Sequence, residues 1–549
     1  MSNASVANNQ STEVNNVDVV VVGAGFSGLY LLHLLRDKQH LNVVVLDLAG
    51  GIGGTWFWNR YPGARCDVAS HEYSFSFSED LQQEWQWSER FAAQPEILKY
   101  LEHVAERFDL NKDIQLNTTV ESVVYDEALT CWNIKTKGGK QFNTQYFIPA
   151  VGALSSANIP TIAGQSDFKG DSYITGRWPA DGVNLKGKKV GIIGTGATAI
   201  QVIPVIAEEC EHLTVFQRTA TYTCPLHNAP MTVEEEQSIK ANYTELREAE
   251  RSSFAGMPFD TVRPSALEDS PEERDAHYQK LWDSNGFGVW LGSYEDILFN
   301  RDANKTAADF FRKKIKERVN DPKIANLLCP PNDLLYGIKR QPCESQYFEA
   351  FNRNNVTLVD IKSAPINTLT KNGLATTKDS YDLDVLIYAT GFDAFTGSLF
   401  KMGIKGRDGI SLQDSWSAGP RTYLGLSVYG FPNMFTVTGP QSPSVLSNMP
   451  VSIELHCEWI ASCIEQMNKQ NIVAIEADQA FEENWITHTK ELADTTLFPQ
   501  ASSWYMGANI PGKPRVFMVY VGGCGGYRDT INEIADKGYE GFNFIKQTT

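Results

Sequence analysis

Twice along this chain a β-branched run ends in a glycine-spaced turn and passes into an apolar helix. That repetition constrains the fold more than any other feature. The first copy runs through residues 17–22, then Gly23-Ala24-Gly25-Phe26-Ser27-Gly28, then a helical pattern to Leu35 and a second β run, 41–46, that ends at Asp47. The second copy is 189–193, then Gly194-Thr195-Gly196-Ala197-Thr198-Ala199, a helix to about Ala207 and a strand over 213–216. Strand, tight turn, helix and strand make a βαβ unit. The sequence therefore predicts an α/β protein with two Rossmann-type dinucleotide-binding domains.

The chemistry of a dinucleotide explains the glycines. A pyrophosphate is doubly anionic and must come close to the backbone. Gly23 makes the tight turn, Gly25 keeps a Cβ out of the phosphate path, and Gly28 lets helix and strand pack. Phe26 and Ser27 open the helix, whose free N–H groups face the phosphate. Asp47, nineteen positions after Gly28, ends the second strand, where a carboxylate accepts from ribose hydroxyls. In the second copy Gly194, Thr195, Gly196, Ala197 and Thr198 occupy the same places. Its second strand ends at Gln217-Arg218-Thr219 with no acid. An acid there would repel a 2′-phosphate, whereas Arg218 pairs with one, which favours NADPH over NADH. Two sites in one chain suggest one cofactor held and one that cycles: FAD in the first, NADPH in the second.

Composition removes several other classes. Lys and Arg number 48 against 66 Asp and Glu, a net charge of −18, with no basic run. Nucleic acid and anionic membranes would repel such a chain. The most apolar stretch, 19–35, is broken by Gly23, Gly25, Gly28 and His33, so no membrane span is expected. Residues 1–16 are rich in Ser and Asn without Lys or Arg, which reads as a disordered tail and not as a signal peptide. The nine cysteines show no zinc spacing, so no metal site is expected and a reducing cytoplasm is.

Strand signals fade over 227–333, where charged helical stretches such as 234–251 and 306–319 read as a helical insertion. A β run at 383–388 leads into Ala389-Thr390-Gly391-Phe392-Asp393, taken as the return to the first domain. The expected division is an FAD domain of 17–150 and 385–549 and an NADPH domain of 151–226 and 334–384, interrupted by the insertion. Residues 520–526 read as a flexible apolar segment.

Three further segments carry a family resemblance. Residues 53–67, Gly-Gly-Thr-Trp-Phe-Trp-Asn-Arg-Tyr-Pro-Gly-Ala-Arg-Cys-Asp, fit GGxWxxxxYPGxxxD at every specified position. Residues 168–179 resemble FxGxxxHxxxWP, with Ile174 at the His position. Together with 389–393, these segments resemble the Baeyer–Villiger monooxygenases, in particular the cyclohexanone and phenylacetone monooxygenase branches, over almost the whole chain. Ile174 can neither hydrogen-bond nor titrate, so any role of that ring is absent or supplied by another residue.

The resemblance implies an FAD- and NADPH-dependent enzyme that uses a peroxyflavin to insert one atom of O2 beside a ketone carbonyl, giving an ester or lactone. It implies Arg340, in Lys339-Arg340-Gln341-Pro342-Cys343-Glu344, as the charge that steadies the anionic oxygen, and Asp67 as its partner. Gly54, Thr55, Trp56, Tyr61 and Asp67 in the signature would border the flavin, Gln201 the nicotinamide, and Lys339 the NADPH phosphate. Trp504, on a loop with Gly507 and Gly512, would fold over cofactor and substrate, and Ser444, Val445 and Leu446 would border the substrate pocket. A small-molecule ketone and O2 are the expected partners, and a monomer or weak homo-oligomer the expected state. Rival readings are an N- or S-oxygenating flavin monooxygenase and a weakly coupled NADPH oxidase. A flavin disulfide reductase needs two thiols in the signature region, where Cys66 stands alone.

Overall fold

The computed structural model describes residues 14–284 and 287–546. Each glycine unit sits in a sheet of its own. In the first sheet, Val14–Val22 lies between Val43–Leu46 and Gln141–Pro149 and is parallel to both. Two antiparallel strands, Cys131–Thr136 and Val120–Asp126, extend it toward Ile404–Lys405, and Ile114–Gln115 forms the other edge. Val19 to Val22 and all of Val43–Leu46 are buried. Strands covered on both faces read as unbroken β-branched runs and not as alternating ones.

Helix Phe26–Leu32 packs against the long helix Met449–Lys469. Ile453, Cys457, Ile460, Ile464 and Met467 recur at helical spacing along one face of the latter and are all buried. That stripe carries the distant C-terminal half of the chain onto the first unit, each large apolar side chain contributing about 1.5–3 kcal/mol.

The second sheet is parallel throughout, in the order Val356–Asp360, His212–Gln217, Lys189–Ile193, Val385–Tyr388, Asp171–Ile174. This corrects the expected boundary at 385: Val385–Tyr388 is a strand of the second sheet, and the chain leaves that sheet only afterwards. Nor is 389–393 a strand of the first sheet. It runs beside the outgoing connection, with Asp393 N–H donating to the Ser156 carbonyl at 2.8 Å and Asn158 N–H to Gly391 at 2.8 Å. The two crossings between the units are thus tied to each other.

The expected tail over 1–16 is also too long. Val14 to Asn16 already pair with Gln141 to Asn143, and residues 1–13 lie outside the described residues. The side chains of Val14 to Asn16 are exposed, so only the backbone pairing reveals this part of the strand.

Two short parallel strands, Cys224–Pro225 and Cys343–Glu344, form the neck of the insertion. Beyond it lie helices Val233–Ala241, Tyr243–Ser252, Pro271–Trp282, Arg301–Arg318 and Pro322–Leu328. Capping boxes at Thr232 with Glu235 and Ser270 with Glu273 start two of them. The insertion packs on the first unit through a buried cation. Arg247 donates to Gln82 at 2.9 Å, Ser74 at 2.7 Å and Glu250 at 2.9 Å. A charge buried there is tolerable because its donors are satisfied. Residues 520–526 are mostly buried, and helix Cys524–Asp536 begins within them, so that segment is packed core.

Candidate active site

The first glycine turn is built as its spacing requires. Gly23 has φ +117°, and a Cβ on it would lie 2.4 Å from the Ala150 carbonyl oxygen. A Cβ on Gly28 would lie 1.8 Å from the Gly23 oxygen. Gly25 and Gly54 face one another, with a Gly54 Cβ 3.0 Å from the Gly25 Cα, so the signature segment starts against the first turn of the helix. Thr55 is exposed at the start of the short helix Thr55–Trp58.

Three side chains of this unit are turned inward. Phe26 turns into the core against Tyr73 and Phe75, and Ser27 is buried, so both offer only backbone N–H groups to a phosphate. Asp47 stands at the end of its strand, but its oxygens accept from Ala24 N–H and Ala49 N–H, both at 2.7 Å. It braces the turn, and its remaining lone pairs are what a ribose could use. Burial raises the Asp47 pKa, opposed by those two N–H groups and by Arg177. Trp56 is buried, edge-on to Tyr73, with its indole N–H on the Tyr73 hydroxyl at 3.3 Å. Trp58 lies beneath Arg177, whose guanidinium is 4.0 Å from the ring centroid.

In the second unit Gly194 has φ +113°, with a notional Cβ 2.4 Å from the Ala389 oxygen. A Cβ on Gly196 would meet nothing within 4 Å. The space before helix Ala197–Glu209 is therefore open, a cradle suited to an anion at a helix N-terminus. Thr195 hydroxyl donates to the Thr219 carbonyl at 3.0 Å, and Thr198 meets Thr175 at 3.1 Å. Ile174, the departure from the signature, ends the edge strand beside Tyr388 and packs in an apolar cluster. Arg218 is exposed and Lys339 half-buried. Burial lowers the Lys339 pKa, and the Arg218 charge lowers it further. Neither forms a salt bridge with an acid among the described residues. Two cations that repel each other and are in no salt bridge suit a phosphate.

Between the units stand Asp67 and Arg340, brought together from far apart in sequence. Arg340 Nη2 is 3.5 Å from Asp67 Oδ2, with the two side chains 29% and 9% exposed. Cys343 N–H donates to the same oxygen at 3.5 Å, and Gln201 Nε2 donates to Oδ1 at 3.4 Å. Tyr61 hydroxyl donates to Gln201 Oε1 at 2.8 Å. Gly63, at φ +82°, presses so close to the helix that a Cβ would lie 2.5 Å from the Gln201 carbonyl oxygen. Burial raises the Asp67 pKa, with Arg340 and the Cys343 N–H opposing it. Burial would ease a proton from Arg340, but Asp67 and Tyr505 keep its pKa above the ordinary value. The guanidinium also lies 4.6 Å from the Phe287 ring centroid. Cys343 Sγ is 3.5 Å from Cys224 Sγ, a thiol contact that no spacing in the sequence reveals.

The 503–513 loop closes one side of this region. Trp504 is half-buried, 4.3 Å from Tyr505 and 6.3 Å from Phe395, centroid to centroid. It shares an apolar cluster with Ile338, Phe395, Val445 and Leu446. Ser444 does not join that lining. It is fully buried and its hydroxyl turns back onto the Thr438 carbonyl at 3.1 Å, so it shapes the loop from within. The loop is latched by Lys513 Nζ, on Asp393 at 2.7 Å and the Ala394 carbonyl at 2.6 Å, and by Asn509 on the Phe392 carbonyl at 2.8 Å. Sequence reasoning missed Arg177, Tyr505 and Lys513, whose contacts with Trp58, Arg340 and Asp393 join segments distant in sequence. The only local signals were that Arg177 precedes Trp178-Pro179 and that Tyr505 follows Trp504.

Two glycine-turn units, one in a mixed sheet and one in a parallel sheet, with an arginine–carboxylate pair between them, define an oxidoreductase with two dinucleotide sites. Residues 20–247 match the family described as pyridine nucleotide-disulphide oxidoreductase. A Baeyer–Villiger monooxygenase of Pseudooceanicola batsensis is 42% identical over 533 residues, 97% of each chain. A phenazine N-monooxygenase of Lysobacter antibioticus is 42% identical over 527 residues, 96% of each chain. The solved structure of an oxidized steroid monooxygenase bound to NADP matches with a TM-score of 0.93 and 47% identity, over 97% of this chain and 100% of that one. The chain belongs to the Baeyer–Villiger monooxygenase family. No helix among the described residues is long and apolar enough to cross a membrane.

Proposed function

We propose that this protein inserts one oxygen atom of O2 beside the carbonyl of a small-molecule ketone, giving an ester or lactone, with FAD in the first unit and NADPH in the second. The observation that carries this reading is the Asp67–Arg340 pair at the junction of the two units. Gly23, Gly25, Gly28, Asp47, Gly54, Thr55, Trp56 and Tyr61 would hold FAD. Gly194, Thr195, Gly196, Ala197, Thr198, Gln201, Arg218, Thr219 and Lys339 would hold NADPH. When bound there, the two cofactors would supply the redox chemistry that activates O2.

The chain supplies the rest. Arg340 places a fixed positive charge where negative charge develops on oxygen. Asp67 holds the guanidinium in position and partly offsets its charge. Ile338, Phe395, Val445, Leu446 and Trp504 form an apolar wall that keeps water from a reactive oxygen. None of the nine cysteines is in a disulfide, which accords with work in the cytoplasm. A monomer completes the reading, and size-exclusion chromatography checks it.

The test is oxygen-dependent NADPH consumption with and without a ketone panel, with product and peroxide measured. Arg340→Ala should still consume NADPH but lose ester formation by about a hundred- to a thousandfold, as when one oxyanion donor is removed. Ester formation near the parent rate would overturn the assignment. A second reading, oxygenation of a heteroaromatic nitrogen, is favoured by the similarity to the phenazine enzyme. Phenazines in the same panel decide between them.

A further inference from the structure

We propose that Tyr61 and Gln201 are positioning residues: the Tyr61 hydroxyl fixes the Gln201 amide, and the amide fixes Asp67 behind Arg340, so that docking of the second unit is felt directly at the catalytic pair. This rests on the roles proposed above for Asp67 and Arg340.

The amide orientation is set from both ends. Gln201 Nε2 faces the Arg65 carbonyl at 3.0 Å and Asp67 Oδ1 at 3.4 Å. Both partners only accept, so a flipped amide would set oxygen against oxygen twice. On its other side Oε1 takes the Tyr61 hydroxyl proton at 2.8 Å. Tyr61 is itself buried, 8% exposed, so this bond is not in competition with bulk water. The Gly63 turn presses on the Gln201 carbonyl and fixes the depth at which the helix docks.

The carboxylate is thereby divided. Among the described residues Oδ1 receives the Gln201 amide, and Oδ2 receives Cys343 N–H and Arg340 Nη2. Tyr61 and Asp67 belong to the signature segment of the first unit, Gln201 to the helix of the second, and Arg340 and Cys343 to the chain just after the insertion. The contacts on Asp67 are 3.4–3.5 Å, long bonds of the sort that shorten when a catalytic complex forms. A small shift of the second unit would therefore loosen or tighten the carboxylate.

The groups that face Asp67 are Arg340, Cys66, Cys343 and Tyr61. Burial already holds the Asp67 pKa high. Removing a donor to the carboxylate raises it further. Oxygenation that needs ionised Asp67 is lost as pH falls through that pKa, so its acid limb moves to higher pH.

The variants are Tyr61→Phe, Gln201→Leu and the double mutant. The measurement is the fraction of consumed NADPH that appears as ester and as peroxide, from pH 5 to 9, with bound FAD and thermal unfolding checked alongside. Tyr61→Phe and Gln201→Leu should each shift the acid limb upward, by about one pH unit for Gln201→Leu, which lowers the ester fraction at the parent's midpoint about fivefold. Because Tyr61 acts through Gln201, the double mutant should be no worse than Gln201→Leu alone. A purely structural role would lower the unfolding temperature without moving the pH profile. A parent-like profile for Tyr61→Phe, or strict additivity in the double mutant, overturns the inference. Asp67→Asn and Arg340→Ala serve as controls. If they keep ester formation, the proposed roles of the pair fail. If they lose it while Tyr61→Phe and Gln201→Leu match the parent, only the positioning inference fails.

Discussion

Replacement of Arg218 by Ala should separate NADPH from NADH. The two nucleotides differ only at the ribose 2′ position, so a group that touches the extra phosphate acts on one and not on the other. Arg218 is exposed at the end of strand His212–Gln217, with Lys339 nearby and half-buried. A hydrogen bond to a charged group is worth about 1.5–3 kcal/mol, which is about a ten- to hundredfold loss in kcat/KM for NADPH. The structure puts the effect toward the lower end for two reasons. Arg218 is open to solvent and salt, and Lys339 remains to face the phosphate.

Lys339 also fixes the pH behaviour. Burial and Arg218 both lower its pKa, so in the parent the preference for NADPH should weaken as pH rises through that lowered value. Removing Arg218 relieves one of the two causes. Lys339 then keeps its proton to higher pH, and the alkaline limb of the remaining preference moves upward. Steady-state kinetics with both nucleotides from pH 7 to 10, at low and high salt, tests all of this. Equal losses with NADPH and NADH, or no loss with either, would refute the 2′-phosphate assignment.

Other outcomes follow from the structure. Gly63→Ala must place a Cβ 2.5 Å from the Gln201 carbonyl oxygen at φ +82°, so it should destabilise by at least about 1–2 kcal/mol, read as a lower midpoint in urea. Glu72 has its pKa raised to about 8 by burial and by Glu250, with Arg247 opposing. Its folded pKa lies above the unfolded one, so the stability it confers is complete below about pH 4.5 and is lost as pH rises toward 8. Glu72→Gln should therefore flatten that decline and stabilise the protein at pH 8 by about 1–3 kcal/mol, measured by denaturant titration at pH 5 and 8. Lys513→Ala removes a largely buried ammonium from Asp393 and the Ala394 carbonyl. Amide exchange over 503–513 should quicken about tenfold or more while the first-unit strands keep their protection.

What the sequence reveals and what it hides have different physical causes. The glycine turns are legible because backbone geometry alone demands them: φ near +115° at Gly23 and Gly194 and a carbonyl 1.8 Å from any Cβ at Gly28 leave no other residue. Arg218 stands out because a βαβ unit puts the residue after its second strand where a ribose would lie. Strand 385–388 was misplaced because four buried apolar residues look alike in any parallel sheet. Only its register with Lys189–Ile193 and Asp171–Ile174 says which sheet owns it.

Side chains show the same division. Asp47 stands where its position predicts, but its bonds to Ala24 and Ala49 depend on the turn folding back over it, which no spacing encodes. Ser444 sits in the expected loop, yet its φ of +40° points the hydroxyl inward. Arg340 and Asp67 are legible only through resemblance, since the arginine alone reads as half of a structural ion pair and an Asp after a Pro-Gly turn as a cap. Their pairing depends on three segments meeting: the signature turn, the helix of the second unit that carries Gln201, and the strand that places Cys343 N–H on the carboxylate. A site assembled from three segments at a seam between two units has no local pattern. Its geometry is nonetheless what lets movement of one unit reach the charge that the other uses.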